Sequence, residues 1–375
     1  MMYFPLVDFN SFFTFARQGA PRMATTAGGR NRFVNWLDQP GHDRDLIGGK
    51  AASLGRLASL GAPVPPALAL TTRAYAEFAG ANALPRSVAD ITPIELPTLR
   101  ASIMTAPLPG SIAGAIAHVH EIFAMGREDV PSLAVRSSGT AEDSAAFSFA
   151  GLHDTVLDVR RAEDLERAIR QCWMSLWSDR AVAYRLERGM ATDVSNIAVV
   201  IQELVRSDVS FVAFTSDPVT HASDQVVIDA TWGLGESIVS GLVVPDHITI
   251  ANDGDQPEYV IGEKHLMVIP GDESGGGTRT VPVPRSLRRQ PVLSSSQACE
   301  IAQIARTVSR SLGFEADLEG GIASGVIHLF QARPITTLGS GPDILERAPG
   351  VEVGDRQPTA GAPIATASYL SMSQE

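Results

Sequence analysis

Cysteine is almost absent, with Cys172 and Cys299 the two thiols in 375 residues. Two isolated cysteines with no metal-ligand spacing exclude a disulfide framework and a zinc cluster, and they point to a reducing cytoplasm. Long apolar runs are missing as well. Nothing approaches the roughly 20 residues of a membrane helix, so no membrane partner is expected. The first 29 residues carry Phe4, Phe9, Phe12, Phe13 and Phe15 but no basic stretch leading into an apolar core, which excludes a secretory signal. Met23 offers a second start, and 1–30 reads as an N-terminal arm. Positive charge is also short: 30 Lys and Arg stand against 42 Asp and Glu, for a net charge of −12. Without clustered cations to neutralise phosphates, no nucleic-acid partner is expected.

What is present is a globular composition, 44% hydrophobic and 19% charged. The chain is long enough for two packed units at roughly 100–200 residues each. In its first part, Gly48-Gly49-Lys50 opens an apolar-periodic helix through Leu54, Leu57 and Leu60. Ala67–Leu70 reads as a strand, with Thr71-Thr72 capping the next helix. Leu133–Arg136 and Val156–Val159 read as strands, and Leu165–Met190 as one amphipathic helix carrying Trp173, Leu176 and Trp177. From Ile197 onward β-branched runs alternate with Gly, Pro and Asp turns, so this part is rich in sheet. Ser294–Leu312 reads as a helix, and beyond Thr337 the composition becomes that of a tail or linker.

The most informative segment is Asp317-Leu318-Glu319, followed by a strand ending in Gln331-Ala332-Arg333-Pro334. A triphosphate needs Mg²⁺ on oxygen ligands, usually one or two protein carboxylates, because the ion keeps waters and phosphate oxygens. It also needs a cation that grips phosphate in a fork, which arginine does. Period-two alternation places Ile327, Leu329, Gln331 and Arg333 on one face of the strand. A hairpin through Gly320-Gly321 and Ser324-Gly325 would bring the two acids beside the amide and the guanidinium. A salt-bridged surface hairpin explains the same residues about equally well.

Other segments are individually weak. Gly48-Gly49-Lys50 at a helix start suits an anion, although the spacing of a P-loop is absent. Arg136-Ser137-Ser138-Gly139-Thr140 offers guanidinium, hydroxyl and amide donors after a strand, and Phe149–Thr155 supplies a glycine loop around Gly151. Trp232-Gly-Leu-Gly-Glu236 has the glycines of a close backbone approach. His153 and His221 fall in loops and receive no catalytic role.

Taken in order, these blocks resemble a family. Gly48-Gly-Lys-Ala-Ala-Ser-Leu, Val135-Arg-Ser-Ser-Gly-Thr-Ala-Glu-Asp, Ser148-Phe-Ala-Gly, Trp232-Gly-Leu-Gly-Glu, Asp317-Leu-Glu and Gln331-Ala-Arg-Pro-Ile-Thr follow the order seen in the nucleotide-binding part of phosphoenolpyruvate synthase and pyruvate phosphate dikinase. They are also similar to rifampicin phosphotransferase. The resemblance covers about Ile47–Thr337. It implies an α+β, ATP-grasp fold with two α/β lobes and the nucleotide between them: an N-terminal lobe at 31–195, a C-terminal lobe at 196–338, and a tail at 339–375.

The resemblance also implies roles. Lys50, Arg136 and Arg333 would be the catalytic cations on the phosphates. Thr140, Gly151 and Thr155 would join them in binding nucleotide, and Gln202, Glu203 and Leu204 would form the adenine edge. Glu319 and Gln331 would hold Mg²⁺, with Asp317 a supporting acid. In this family the ATP lobes pyrophosphorylate a histidine on a swivelling domain, and none of the eight histidines here lies in the Gly-Gly-x-x-x-His-Ala type of segment that carries it. The resemblance therefore implies an ATP-binding, phosphoryl-donating component whose histidine sits on a separate partner protein. Alternatives are the ATP-binding subunit of a phenylphosphate synthase-type or antibiotic phosphotransferase, and a non-catalytic nucleotide-sensing subunit. Two departures stand out. Gly320 replaces a bulky residue, which would loosen the metal hairpin, and Phe211 replaces a glycine, which would crowd the cleft.

Overall fold

The computed structural model describes residues 31–39, 41–127, 130–140, 155–187, 197–252, 256–272 and 276–335. Elements run β1 (Val34–Trp36), α1 (Arg44–Ser59), β2 (Ala67–Leu70), α2 (Thr72–Ala81), α3 (Leu96–Thr105), α4 (Gly110–Ala124), β3 (Leu133–Gly139), β4 (Thr155–Val159), α5 (Ala162–Ser175), α6 (Asp179–Glu187) and β5 (Ile197–Glu203). There follow β6 (Val209–Phe214), β7 (Gln225–Trp232), the short α7 (Glu236–Val239), β8 (Asp246–Ala251), β9 (Glu258–Val260), β10 (Leu266–Pro270), β11 (Thr278–Pro282), α8 (Ser295–Leu312), β12 (Ala316–Ala323) and β13 (Val326–Pro334). No helix among the described residues is long and apolar enough to cross a membrane.

Two sheets carry the fold, one ordered β1-β2-β5-β3-β4 and the other β13-β12-β6-β7-β8-β9, with β10-β11 a separate hairpin. Strand alternation sorts the first sheet cleanly. Leu68, Leu70, Leu133, Val135, Ile197, Val199 and Ile201 turn to a core shared with α2–α5, where Phe78 stacks on Trp173 with ring centroids 5.0 Å apart. Ala67, Ala69 and Val200 turn to the other face, against Leu54 of α1. In the second sheet Val209, Phe211, Ile228, Ile248 and Leu318 pack against α8. That helix starts with a capping box, in which Ser294 takes the Gln297 amide and the Gln297 side chain takes the Ser294 amide.

Two expectations shift. β5 pairs antiparallel with β2 and β3, so the chain leaves the first sheet after Glu203 and not at residue 196. Its unbroken apolar run reflects burial on both faces. The expected single helix over Leu165–Met190 is two, α5 and α6, parted by a turn at Leu176–Ser178; 188–190 lie outside the described residues.

Beside the second sheet lies a fully buried ion pair that a linear reading does not foresee. Asp246 accepts from Lys264 Nζ and from the backbone amides of Gly262 and Val292, at 3.0 and 2.8 Å for the amides, so its burial is matched by donors. Nearby, Asp229 and His247 face each other across β7 and β8 with Nδ1 2.8 Å from the carboxylate. The hydrogen bond to Asp229 raises the imidazole above its ordinary value of 6.5. A raised folded-state value means the pair stabilises fully below about 6.5 and loses that contribution as pH climbs through the raised value. His247→Asn is therefore expected to lower the urea midpoint more at pH 6 than at pH 8.5. The side chain is half exposed, which limits the difference to under about 1 kcal/mol. An equal cost at both pH values would contradict the pairing.

Candidate functional site

The site is built where α1, β3 and the β12–β13 hairpin meet. α1 begins at Asp43, whose side chain caps the Asp45 amide, so Gly48-Gly49 does not open the helix as expected but breaks it. Gly48 has φ +76°, and a side chain there would collide with Ser138. The break separates Ile47 O from Ala51 N–H, an i to i+4 pair. Ser138 Oγ repairs it from β3, donating to Ile47 O at 2.9 Å and accepting from Ala51 N–H at 3.2 Å. The stitch sets Lys50 beside β3, with Nζ donating to Ser137 O at 3.1 Å.

The hairpin differs from its expected alternation. Ile327, Leu329 and Ala332 all pack in the apolar core of the second sheet, so Gln331 and Arg333 lie on the face opposite Ile327 and Leu329. The reason is a β-bulge: Glu319 pairs with Gln331 and Gly320 with Leu329, leaving Phe330 as an extra residue. One added residue reverses the alternation and brings Gln331 and Arg333 onto the face of Asp317 and Glu319. Arg333 lies opposite Asp317 in the register and donates to its Oδ2 from Nε at 2.8 Å and Nη2 at 2.7 Å.

Arg136 crosses from the first sheet to this hairpin. Its Nη2 donates to Glu319 Oε2 and Gln331 Oε1, each at 3.0 Å, and its Nη1 donates to the carbonyl of the bulged Phe330 at 3.2 Å. Glu319 is largely enclosed, which alone would raise its carboxyl. The charges of Arg136, Arg333 and Lys50 outweigh that burial and hold it below the usual carboxylate range. All three expected cations thus act on one carboxylate, and among the described residues the acids that the structure pairs with them are Asp317 and Glu319.

The feared departures cancel. Phe211 and Gly320 are cross-strand partners, and the Phe211 ring fills the space a Gly320 side chain would take. Phe211 is buried on the α8 side, away from the cleft, so it crowds nothing there and seats the hairpin that a missing side chain would have loosened.

At the other end, Gln202 lies between Ala67 and Ala134 in the register, on the same face as Arg136. It is 2% exposed, and its Nε2 has no hydrogen-bond partner. A buried amide donor without a partner is uncommon and calls for an acceptor. Glu203 receives Arg127 Nη2 at 2.9 Å, and the Leu204 amide donates to Ser132 O at 2.8 Å. Thr155 pairs with Arg136 in β3–β4, and the Thr140 carbonyl accepts from Arg44. Gly151 and His153, with the Ser148–Gly151 block, lie outside the described residues. His221 is exposed, in the loop between β6 and β7, with its amide donating to Asp217 O at 2.9 Å. Trp232–Glu236 proves to be an anchor: Leu234 N–H donates to Val268 O at 2.8 Å, and Glu236 accepts from Thr278 at 2.9 Å, fixing the β10–β11 hairpin. Sequence reading missed the Phe330 carbonyl and the Ser138 stitch. A bulge leaves no residue signature, and a lone serine after an arginine suggests a ligand before it suggests a splint.

The donor chemistry fits Mg²⁺ and a nucleotide. Glu319 and Gln331 offer two hard oxygens converging on one position, and Lys50, Arg136 and Arg333 stand around them. The sequence signature described as the pyruvate phosphate dikinase AMP/ATP-binding domain matches residues 44–346. The chain belongs to this family. Its mixed α and β architecture, built on two sheets, agrees with the ATP-grasp expectation. Among family members, a probable phosphoenolpyruvate synthase of Methanocaldococcus jannaschii is 35% identical over 330 residues, covering 84% of this chain and 28% of that protein. The prodigiosin synthesizing transferase PigC of Serratia marcescens is 36% identical over 294 residues, 78% of this chain and 32% of that protein. A rifampicin phosphotransferase of Bacillus cereus is 35% identical over 311 residues, 80% of this chain and 35% of that protein. The chain therefore spans about a third of the length of these relatives. A solved D-alanyl-alanine synthetase A from Vibrio cholerae aligns with 76% of this chain and 55% of its own at 11% identity and a TM-score of 0.26, too distant to add to the topology.

Proposed function

We propose that this chain performs the ATP half of a phosphoenolpyruvate synthase-like dikinase reaction, donating a pyrophosphoryl group from ATP to a histidine carried by a partner protein. The observation that carries this reading is the crossing of Arg136 onto Glu319 and Gln331, with Lys50 and Arg333 acting on the same carboxylate. The relatives support it in a second way. Their names differ in acceptor, while the matched third of each is the segment shared with this chain, so the shared segment carries the nucleotide chemistry.

Lys50, Arg136 and Arg333 bind the phosphates and stabilise charge that spreads over phosphate oxygens as the bond to the AMP portion breaks. Gln202 orients the base with its buried amide, and Glu203, fixed by Arg127, borders it. Thr140 and Thr155 border the phosphates, and the resemblance would add Gly151. Glu319 and Gln331 would hold Mg²⁺, with Asp317 steadying Arg333; when bound, the ion neutralises polyphosphate charge. The histidine nitrogen takes the β-phosphorus and AMP leaves. Incubating the purified chain with ATP, Mg²⁺ and a histidine-domain protein is expected to release AMP and label that protein from γ-labelled ATP. Tight ATP binding with no AMP in the presence of any such partner would instead support a nucleotide sensor. Absence of ATP binding by calorimetry would sink both.

A further inference from the structure

The oxygens that Glu319 and Gln331 would offer a divalent cation are already in use. Nη2 of Arg136 sits 3.0 Å from both, and Nη1 is held by the Phe330 carbonyl at 3.2 Å. The seat is built, since the bulge turns that carbonyl off the β12–β13 ladder and the three acceptors come from two strands of the opposite sheet. It is also incomplete. Nε of Arg136 is buried with no hydrogen-bond partner, so the guanidinium makes fewer bonds here than its five donors allow.

The geometry points to Arg136 as a placeholder that keeps a divalent cation off the Glu319–Gln331 pair until polyphosphate oxygens draw the guanidinium away. The inference rests on the ATP site proposed above and adds an order of events to it. Two cations cannot share the same two oxygens at this spacing, because each would face the other's charge at contact distance. Polyphosphate offers forked oxygen acceptors that suit a guanidinium better than one carboxylate oxygen and two amide carbonyls. Removal of Arg136 from the pair then exposes both oxygens together. Metal and polyphosphate binding are consequently coupled, each raising the affinity for the other by the same factor. Nucleotide-free protein keeps its cleft charge paired without an ion.

The test uses Mn²⁺ alone, titrated into the full chain without nucleotide and followed by the electron paramagnetic resonance signal of free Mn²⁺. Arg136→Met is expected to bind Mn²⁺ at least about tenfold more tightly than wild type. The gain should disappear in Arg136→Met/Glu319→Gln, which assigns it to this oxygen pair. Arg136→Gln, with a neutral side chain that leaves room for the ion, is expected to show the same gain and serves if Arg136→Met does not fold. Wild-type affinity equal to that of both Arg136 variants overturns the placeholder, as does a gain that survives Glu319→Gln. Because no nucleotide is present, these outcomes are read separately from the ATP-binding experiment, which tests the function itself.

Discussion

Glu319→Ala is expected to lower ATP-dependent turnover by at least about 1000-fold, equivalent to about 4 kcal/mol of lost transition-state stabilisation, while the protein stays folded. The large activity effect follows from Glu319 being the carboxylate on which Lys50, Arg136 and Arg333 all act. The small structural effect follows from what remains. Arg136 keeps the Gln331 and Phe330 oxygens as acceptors, and its side chain retains 14% exposure, so the guanidinium is not stranded. Turnover within tenfold of wild type would remove Glu319 from the site. A collapse of far-UV circular dichroism in this variant would show that its role is structural.

Gly320→Ala is expected to cost about 3 kcal/mol or more, at the upper end of what overpacking usually does. The added methyl would lie 2.3 Å from Cζ of the Phe211 ring and 2.6 Å from the His328 carbonyl oxygen. The ring can move; the carbonyl belongs to the hairpin backbone. Gly320→Ala/Phe211→Leu is therefore expected to regain only part of the loss in urea denaturation. Full recovery would show that the ring alone excludes the side chain, and no loss in the single variant would show that the hairpin accommodates it. Because the bulge sits at this pairing, Mg²⁺-dependent ATP affinity should fall in the single variant beyond what partial unfolding explains.

Much of the fold was legible because strands announce themselves by composition. Ala67–Leu70, Leu133–Arg136 and the β-branched runs of β5 to β8 stand where the sequence places them, with the strand from Leu133 running on to Gly139. Sheet membership was not legible for β5, since an apolar run buried on both faces gives no sign of which neighbours pair with it. Lys50, Arg136, Asp317, Glu319, Gln331 and Arg333 came together as a group, because separate blocks in a familiar order constrain one another. The side on which Gln331 and Arg333 fall was read wrongly in relation to Ile327 and Leu329. Period two holds only while a strand is regular, and one bulged residue inverts it. The Gly320 and Phe211 departures were both visible, but their complementarity depends on register, which a linear reading does not supply.

α1 places Leu54 in an apolar cluster with Ala67, Ala69 and Val200 of the first sheet, and Leu57 in the cluster beneath the second. Its Arg56 also donates to the carbonyls of Ser311 and Leu312 at the end of α8, and the Pro63 carbonyl just beyond it accepts from Leu329. The two lobes therefore share a structural keel and are not independent cooperative units. Cutting the chain between Glu203 and Val209 would leave the first fragment with an apolar stripe on α1 that has lost its cover, and the second with a core missing a wall. Each half would be less stable without the other, and loosening at the surface of one is felt as lost stability in both.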